Sequence, residues 1–352
     1  MSEQNIRKRF ESALAGEPID HPVYAVYDWF AENRLTSADW EPLFDQGLGQ
    51  INHARLIKHE HPGFEIVETQ SKQGGEVRRD VRLVTDRGEL HEWYLGEWKQ
   101  EHFIKTSADY ATMAHALEGV RVMADEKPFL DSEASLGNRG ITVGELQGID
   151  RGRTPLMALQ VDWVGLEQFS MDLADELPEL ENLLEVMKEI KLEEIRQAVK
   201  TPVKQIKLWE NLSIETLGPT YYQRHLVPLY KQILEMMNQA GKRLLVHYDG
   251  QLKAIADDIA NLDIDGIDSF TEPPEGNLTT AEARNLWPDK FLWQNINLGW
   301  YEMPQQELRK NIERVIKDAG HRRQCLMISE EVPQNWQETV PFVLETLRSL
   351  EG

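Results

Sequence analysis

Seven short apolar runs in this chain finish the same way, each running into polar residues. Leu244-Leu245-Val246 leads to His247-Tyr248-Asp249-Gly250. Residues 22–27 end at Asp28, and residues 156–161 end at Asp162-Trp163. Ile206-Lys207-Leu208-Trp209 ends at Glu210-Asn211, and residues 266–270 end at Thr271-Glu272. Residues 291–294 end at Asn295, and Cys325-Leu326-Met327-Ile328 ends at Ser329-Glu330-Glu331. Helical stretches separate most of them. Strands that alternate with helices imply parallel βαβ units. Nearly continuous apolar strands imply a sheet covered on both faces. Polar residues gathered at the C-terminal strand ends are where a (β/α)8 barrel, the TIM barrel, builds its active site. An eighth strand is expected between Asp131 and Gly152, with Gly140-Ile141-Thr142-Val143 as its best candidate.

On a strand, residues i and i+2 point the same way, so His247 and Asp249 project together from one strand end. An imidazole beside a carboxylate can share a metal or form an acid–base pair; it can equally close a strand with a hydrogen bond. Glu210 and Glu272 end the strands that flank the His247 strand in chain order. Each is a candidate general base or further ligand. Asp28 is a candidate acid–base partner for Glu210. Trp163 follows another run, and Tyr221 and Tyr222 follow the Gly218-Pro219-Thr220 loop; all three are candidates for substrate contact. Asn295 and Asn297 suit orientation of a polar substrate. Capping or loop support explains each of these residues equally well.

Composition narrows the function classes. Lys and Arg number 38 against 60 Asp and Glu, a formal net charge of −22. That surface repels nucleic acid and anionic membranes. No apolar run approaches the ~20 residues that span a bilayer. The N-terminus has no apolar core of a signal peptide. A single cysteine allows no internal disulfide. The expectation is a cytoplasmic protein of one domain, residues 1–352.

Leu180, Leu183, Leu184, Met187 and Ile190 recur at helical spacing, and residues 226–237 are amphipathic. Thr279 and Thr280 before Ala281-Glu282-Ala283 read as a capped helix start. Residues 64–103 break the rhythm. There residues 81–85, the turn Asp86-Arg87-Gly88 and residues 90–94 read as a β-hairpin excursion. Trp93 and Trp98 would either close over a ligand or pack the hairpin onto the barrel.

Several segments together resemble the uroporphyrinogen decarboxylase superfamily, and most closely its cobalamin-dependent methyltransferase branch. They are residues 9–23, Thr85-Asp86-Arg87-Gly88-Glu89-Leu90, residues 104–110, Gly241-Lys242 leading to His247-Tyr248-Asp249-Gly250, and Glu330-Glu331-Val332-Pro333-Gln334-Asn335. The likeness spans nearly the whole chain. The decarboxylases themselves carry an arginine-rich signature, R-P-V-W-x-M-R-Q-A-G-R, that binds their polycarboxylate substrate. The matching place here, residues 21–30, has no arginine. The methyltransferase branch binds zinc through His-x-Cys and a later Cys. The matching positions here are His247, Asp249 and Glu330, one imidazole with two carboxylates. The resemblance therefore implies a divalent metal, zinc first, on those three residues; without a metal they would form a hydrogen-bonded polar cluster. Cys325 falls inside the last apolar run and reads as core.

The resemblance further implies methyl transfer with a corrinoid such as methylcobalamin, free or on a partner corrinoid protein, and a small-molecule methyl donor or acceptor. A decarboxylase or lyase acting on a less anionic substrate, with Asp28 and Glu210 as acid and base, is the alternative. A non-catalytic corrinoid or tetrapyrrole carrier is the third. No D-x-H-x-x-G corrinoid motif is present.

Overall fold

A computed structural model describes residues 5–33, 36–328 and 331–350. Eight parallel strands close into a barrel: β1 Val23–Tyr27, β2 Gly49–Arg55, β3 Gly140–Glu145, β4 Gln205–Leu208, β5 Arg243–His247, β6 Gly266–Phe270, β7 Phe291–Asn295 and β8 Gln324–Met327. Each pairs with its neighbours in chain order, and β1 closes on β8 with Val23 beside Cys325. This is the (β/α)8 barrel that the strand ends imply.

Alternation along the strands sorts the core into two layers. Ile51, Ile141, Val143, Leu245, Trp293 and Cys325 belong to one cluster, which joins the barrel interior to the helices beside β1 and β8, among them Leu308, Ile312 and Val340. Ile206, Leu208, Leu244, Val246, Ile267 and Leu292 belong to another, together with helix residues such as Leu183, Ile195 and Leu234. Both faces of the sheet are thus covered, and β1, β6 and β7 are buried along their whole length. Helix Pro178–Ala198 buries Leu180, Leu183, Leu184 and Met187 as their spacing requires. Thr279 caps helix Thr280–Leu286, its hydroxyl accepting from the Glu282 amide. Among the described residues no helix is long and apolar enough to cross a membrane.

Two strand assignments change. Residues 156–161 are not a strand. Thr154 and Pro155 start a helix, Pro155–Ala158, that runs on through a wider π-turn, Leu159–Trp163. Nearly every residue there is buried, and an apolar run buried all round has no period to tell helix from strand. The strand that takes its place is β2, Gly-Gln-Ile-Asn-His-Ala-Arg. It escapes recognition because its outward side chains are polar. Gln50 bonds Asn52, and Asn52 bonds Ser132 of helix Lys127–Leu136.

The excursion leaves after β2 and is larger than one hairpin. Strands Glu65–Gln73, Glu76–Thr85, Gly88–Leu95 and Trp98–Glu101 form a four-stranded antiparallel sheet. The expected turn is present, with Thr85 paired to Gly88. Gly74-Gly75 makes a second one; both glycines have positive φ, at 61° and 93°, as a tight two-residue hairpin requires. Val81, Leu83, Leu90 and Tyr94 cover Tyr110, Met113 and Leu117. Trp93 lies under the Arg78 guanidinium at 4.2 Å, and Trp98 is 79% exposed. Neither lines the cleft at the barrel mouth.

Candidate active site

At the C-terminal end of the barrel the interior side chains turn from apolar to charged. Lys207 on β4 and Asp268 on β6 are both fully buried. β5 lies between these strands and contributes His247, whose backbone is in register with Asp268. Asp268 receives three donors. Tyr27 Oη–H reaches Oδ1 at 2.5 Å, Lys207 Nζ reaches Oδ2 at 3.1 Å, and His247 Nδ1 lies 2.6 Å from Oδ2. Burial alone would raise its pKa. The Lys207 charge and the His247 hydrogen bond outweigh burial and hold Asp268 well below the ordinary carboxylate range.

His247 is the counterpart of that acidity. Its side chain is 12% exposed, and Nε2 faces Asp249 Oδ2 at 3.6 Å. Burial opposes charge on the ring, yet Asp249 and Asp268 prevail and lift its pKa to about 8. The imidazole is therefore held as a cation near neutral pH, with Nδ1–H tied to Asp268 and Nε2–H toward the half-exposed rim.

A second imidazole–carboxylate pair stands across the mouth. Asp28 accepts from the His53 amide at 2.7 Å and faces His53 Nδ1 at 3.0 Å. Here burial, followed by the Lys207 charge, dominates and lowers the His53 pKa. Among the described residues His53 Nε2 is buried without a hydrogen-bond partner. The Trp209 ring separates the two imidazoles, 5.1 Å from His53 and 5.2 Å from His247. Trp209 also carries the Lys207 ammonium over its face at 3.6 Å, while Tyr27, Trp29 and Trp293 stand 4.8–5.8 Å away. A buried ammonium over aromatic faces is stabilised by their quadrupoles. The cleft above this layer is open, about 730 Å³, and lined by Asp28, Trp29, His53, Glu145, Arg151, Arg153 and Trp209. A cleft of similar size at the N-terminal strand ends, lined by Thr142, Gln205 and Arg243, lies at the face that does not carry chemistry in this fold.

The structure brings together only some of the residues that the sequence singled out. Asp28, His247 and Asp249 are at the mouth. Glu210 is fully buried and faces away; its carboxylate accepts from the Thr154 amide and hydroxyl and from Tyr230, anchoring the helix that starts at Pro155. Glu272 accepts from the Thr280 amide and hydroxyl and pairs with Arg314 at 2.5 Å, outside the barrel. Trp163 is buried in the core below, its indole N–H at 3.4 Å from the Ile149 carbonyl. Tyr222 is buried against the Tyr248 hydroxyl, and the Tyr221 ring is tilted against His225 at 6.4 Å. Asn295 donates to Ser269 at the top of β7, and Asn297 donates to the Glu272 carbonyl; among the described residues the carbonyl oxygen of each side chain is buried without a partner. Glu330 lies outside the described residues.

Among the described residues His247 Nε2 and Asp249 are two of the three ligands that a catalytic zinc takes from the protein, and the third candidate, Glu330, lies outside them. Among the described residues no group of three His, Cys, Asp or Glu is placed to hold an ion. Cys325 is buried inside the barrel, where burial pushes its thiol pKa far up.

The family model described as uroporphyrinogen decarboxylase (URO-D) matches residues 160–347, just over half of the chain. The chain belongs to the uroporphyrinogen decarboxylase family. That match spans β4 to β8, the strands that bear Lys207, His247 and Asp268. Among solved structures, a methyltransferase from Methanosarcina mazei aligns over 99% of both chains with a TM-score of 0.57 at 14% identity, a likeness of fold. A pneumococcal exo-β-D-N-acetylglucosaminidase aligns over 97% of this chain and 86% of its own at 9% identity, with a TM-score of 0.36, too low to bear on the site. No curated protein matches the sequence.

Proposed function

We propose that this uroporphyrinogen decarboxylase family member is a methyl-transferring enzyme in which His247 is the acid. The observation that carries the reading is His247 itself, a cation held between Asp268 and Asp249 at the mouth of the barrel. The likeness to the Methanosarcina methyltransferase over the whole of both chains supports the reaction class. A methyl group leaves oxygen or nitrogen readily only if the departing atom gains a proton. The methyl C–O or C–N bond breaks with its electron pair staying on the heteroatom, which takes the proton from His247 Nε2. Asp268 stays ionised throughout and steadies the ring. His53, neutral and with Nε2 unpartnered, accepts a hydrogen bond from the donor molecule. Arg151 and Arg153 line the cleft and suit an anionic group on it.

A cobalt corrinoid, free or on a partner protein, would supply the nucleophile that takes the methyl group. It would enter by the open side of the cleft, and the chain has no D-x-H-x-x-G segment of its own. A zinc ion on His247, Asp249 and Glu330 would claim the same Nε2 and remove its proton, so the two roles exclude one another. Metal analysis of protein purified without a His-tag separates them: the acid role requires far less than one equivalent.

The test is methylation of chemically reduced cobalamin by a panel of methoxylated aromatic acids and methylamines. We expect turnover with one donor class and a loss of about 10²–10⁴-fold in His247→Gln. No methylation by any donor would contradict the reading. The two arginines and the family description also favour decarboxylation, in which the C–C bond breaks and the carbon left with the electron pair takes the His247 proton. Carbon dioxide release without any corrinoid would mark that reaction.

A further inference from the structure

Strand Glu65–Gln73 is the edge of the excursion sheet and pairs only with strand Glu76–Thr85. Eight of its nine residues are exposed. The Gly74-Gly75 turn fixes which backbone groups point outward. A two-residue turn closes on a hydrogen-bonded pair, here Gln73 and Glu76. Every second residue back from Gln73 therefore bonds inward, and Ile66, Glu68, Gln70 and Lys72 turn their N–H and C=O groups outward. Val77, opposite Lys72, confirms the phase, since its carbonyl accepts from Gly96 on the other side. Among the described residues no other backbone group bonds to this edge. Ile66 and Val77 share the barrel-facing side with buried Val81 and Leu83, yet they are 45% and 48% exposed. Between them on that face the edge strand carries Glu68, Gln70 and Lys72, with Glu68 facing Arg79 of the next strand at 3.5 Å.

We propose that this edge pairs antiparallel with the same edge of a second copy, about a two-fold axis through Gln70. Two four-stranded sheets become one of eight. The charges select the register. Centred on Gln70, Glu68 lies opposite the partner's Lys72, and Lys72 opposite the partner's Glu68. Registers centred on Glu68 or Lys72 set like charges against each other. Registers centred on Thr69 or Ser71 leave both charges without an opposite. Backbone groups at 68, 70 and 72 all find partners in the chosen register, which covers most of the open edge and leaves Ile66 opposite the turn.

Sedimentation velocity of the full chain tests this with three samples. The wild type should sediment as a dimer at tens of micromolar. Glu68→Lys and Lys72→Glu should each weaken association at least tenfold and sediment as monomers, with circular dichroism confirming that each is folded. An equimolar mixture of the two should return to dimer, because each edge then carries one sign and the mixed pair sets opposite signs together at both places. A monomeric wild type, a dimer that neither variant disturbs, or a mixture that stays monomeric would overturn the proposal.

Discussion

Lys207 and Asp268 settle the chemistry of the mouth, because neither charge has access to water. A buried ion pair is costly to make and costlier to halve. Lys207→Met leaves the Asp268 carboxylate with His247 and Tyr27 alone and is expected to destabilise the fold by up to about 3–5 kcal/mol. Lys207→Met with Asp268→Leu should recover only part of that loss, because Tyr27 and His247 lose their acceptor. Urea unfolding of the three variants checks both expectations. These residues stood in plain view in the sequence, as Ile-Lys-Leu-Trp and Gly-Ile-Asp-Ser-Phe. A charge in the middle of an otherwise buried strand must face the barrel interior and find a partner there. Attention to strand ends found His247, Asp249 and Asp28 and passed over the charges one layer down. Glu210 misleads for the converse reason: it ends a strand but turns outward to hold Thr154 and Tyr230. Glu210→Gln should therefore cost about 1–3 kcal/mol of stability, seen in the urea midpoint. A catalytic Glu210 would instead cost activity and leave stability intact.

Elements were legible where burial was one-sided or strand ends were sharp. Six of the seven apolar runs are barrel strands, and residues 140–143 lie in β3 as expected. The seventh run is buried on every side, so its helix shows no period. β2 was hidden because Gln50 and Asn52 face a polar stretch of helix, and His53 was lost with it. A glycine marks where β2 sits. A Cβ on Gly140 would lie 1.6 Å from the Gln50 carbonyl oxygen, so the backbones of β2 and β3 leave no room there. Gly140→Ala must open the Gln50–Gly140 register, which runs on to Arg55 and Glu145. We expect a cost at or above the top of the ~1–3 kcal/mol range for overpacking. Unchanged stability in urea unfolding would mean that the two strands are not so closely apposed.

At the scale of the whole molecule, the protonation of His247 couples folding to pH. Its folded pKa of about 8 lies above the ordinary imidazole value of about 6.5. The protonated ring therefore adds stability that is fully present below pH ~6.5 and is lost as pH rises through 8, about 2 kcal/mol in all. His247→Gln should flatten the stability profile across that window. Asp268, with its pKa lowered, contributes in the opposite sense, and its share is lost as pH falls through the folded value. The excursion sheet and the barrel mouth meet at Tyr94, whose hydroxyl accepts from Arg151 at 3.1 Å, so the wall of the cleft leans on the sheet. The most direct measurement is an NMR titration of the His247 ring in the wild type and in Asp268→Asn. If Asp268 holds His247 as the acid, the wild-type ring titrates near 8 and the midpoint falls in the variant. A wild-type midpoint at or below about 6.5, or one that Asp268→Asn leaves in place, would contradict the acid role on which the proposed chemistry rests.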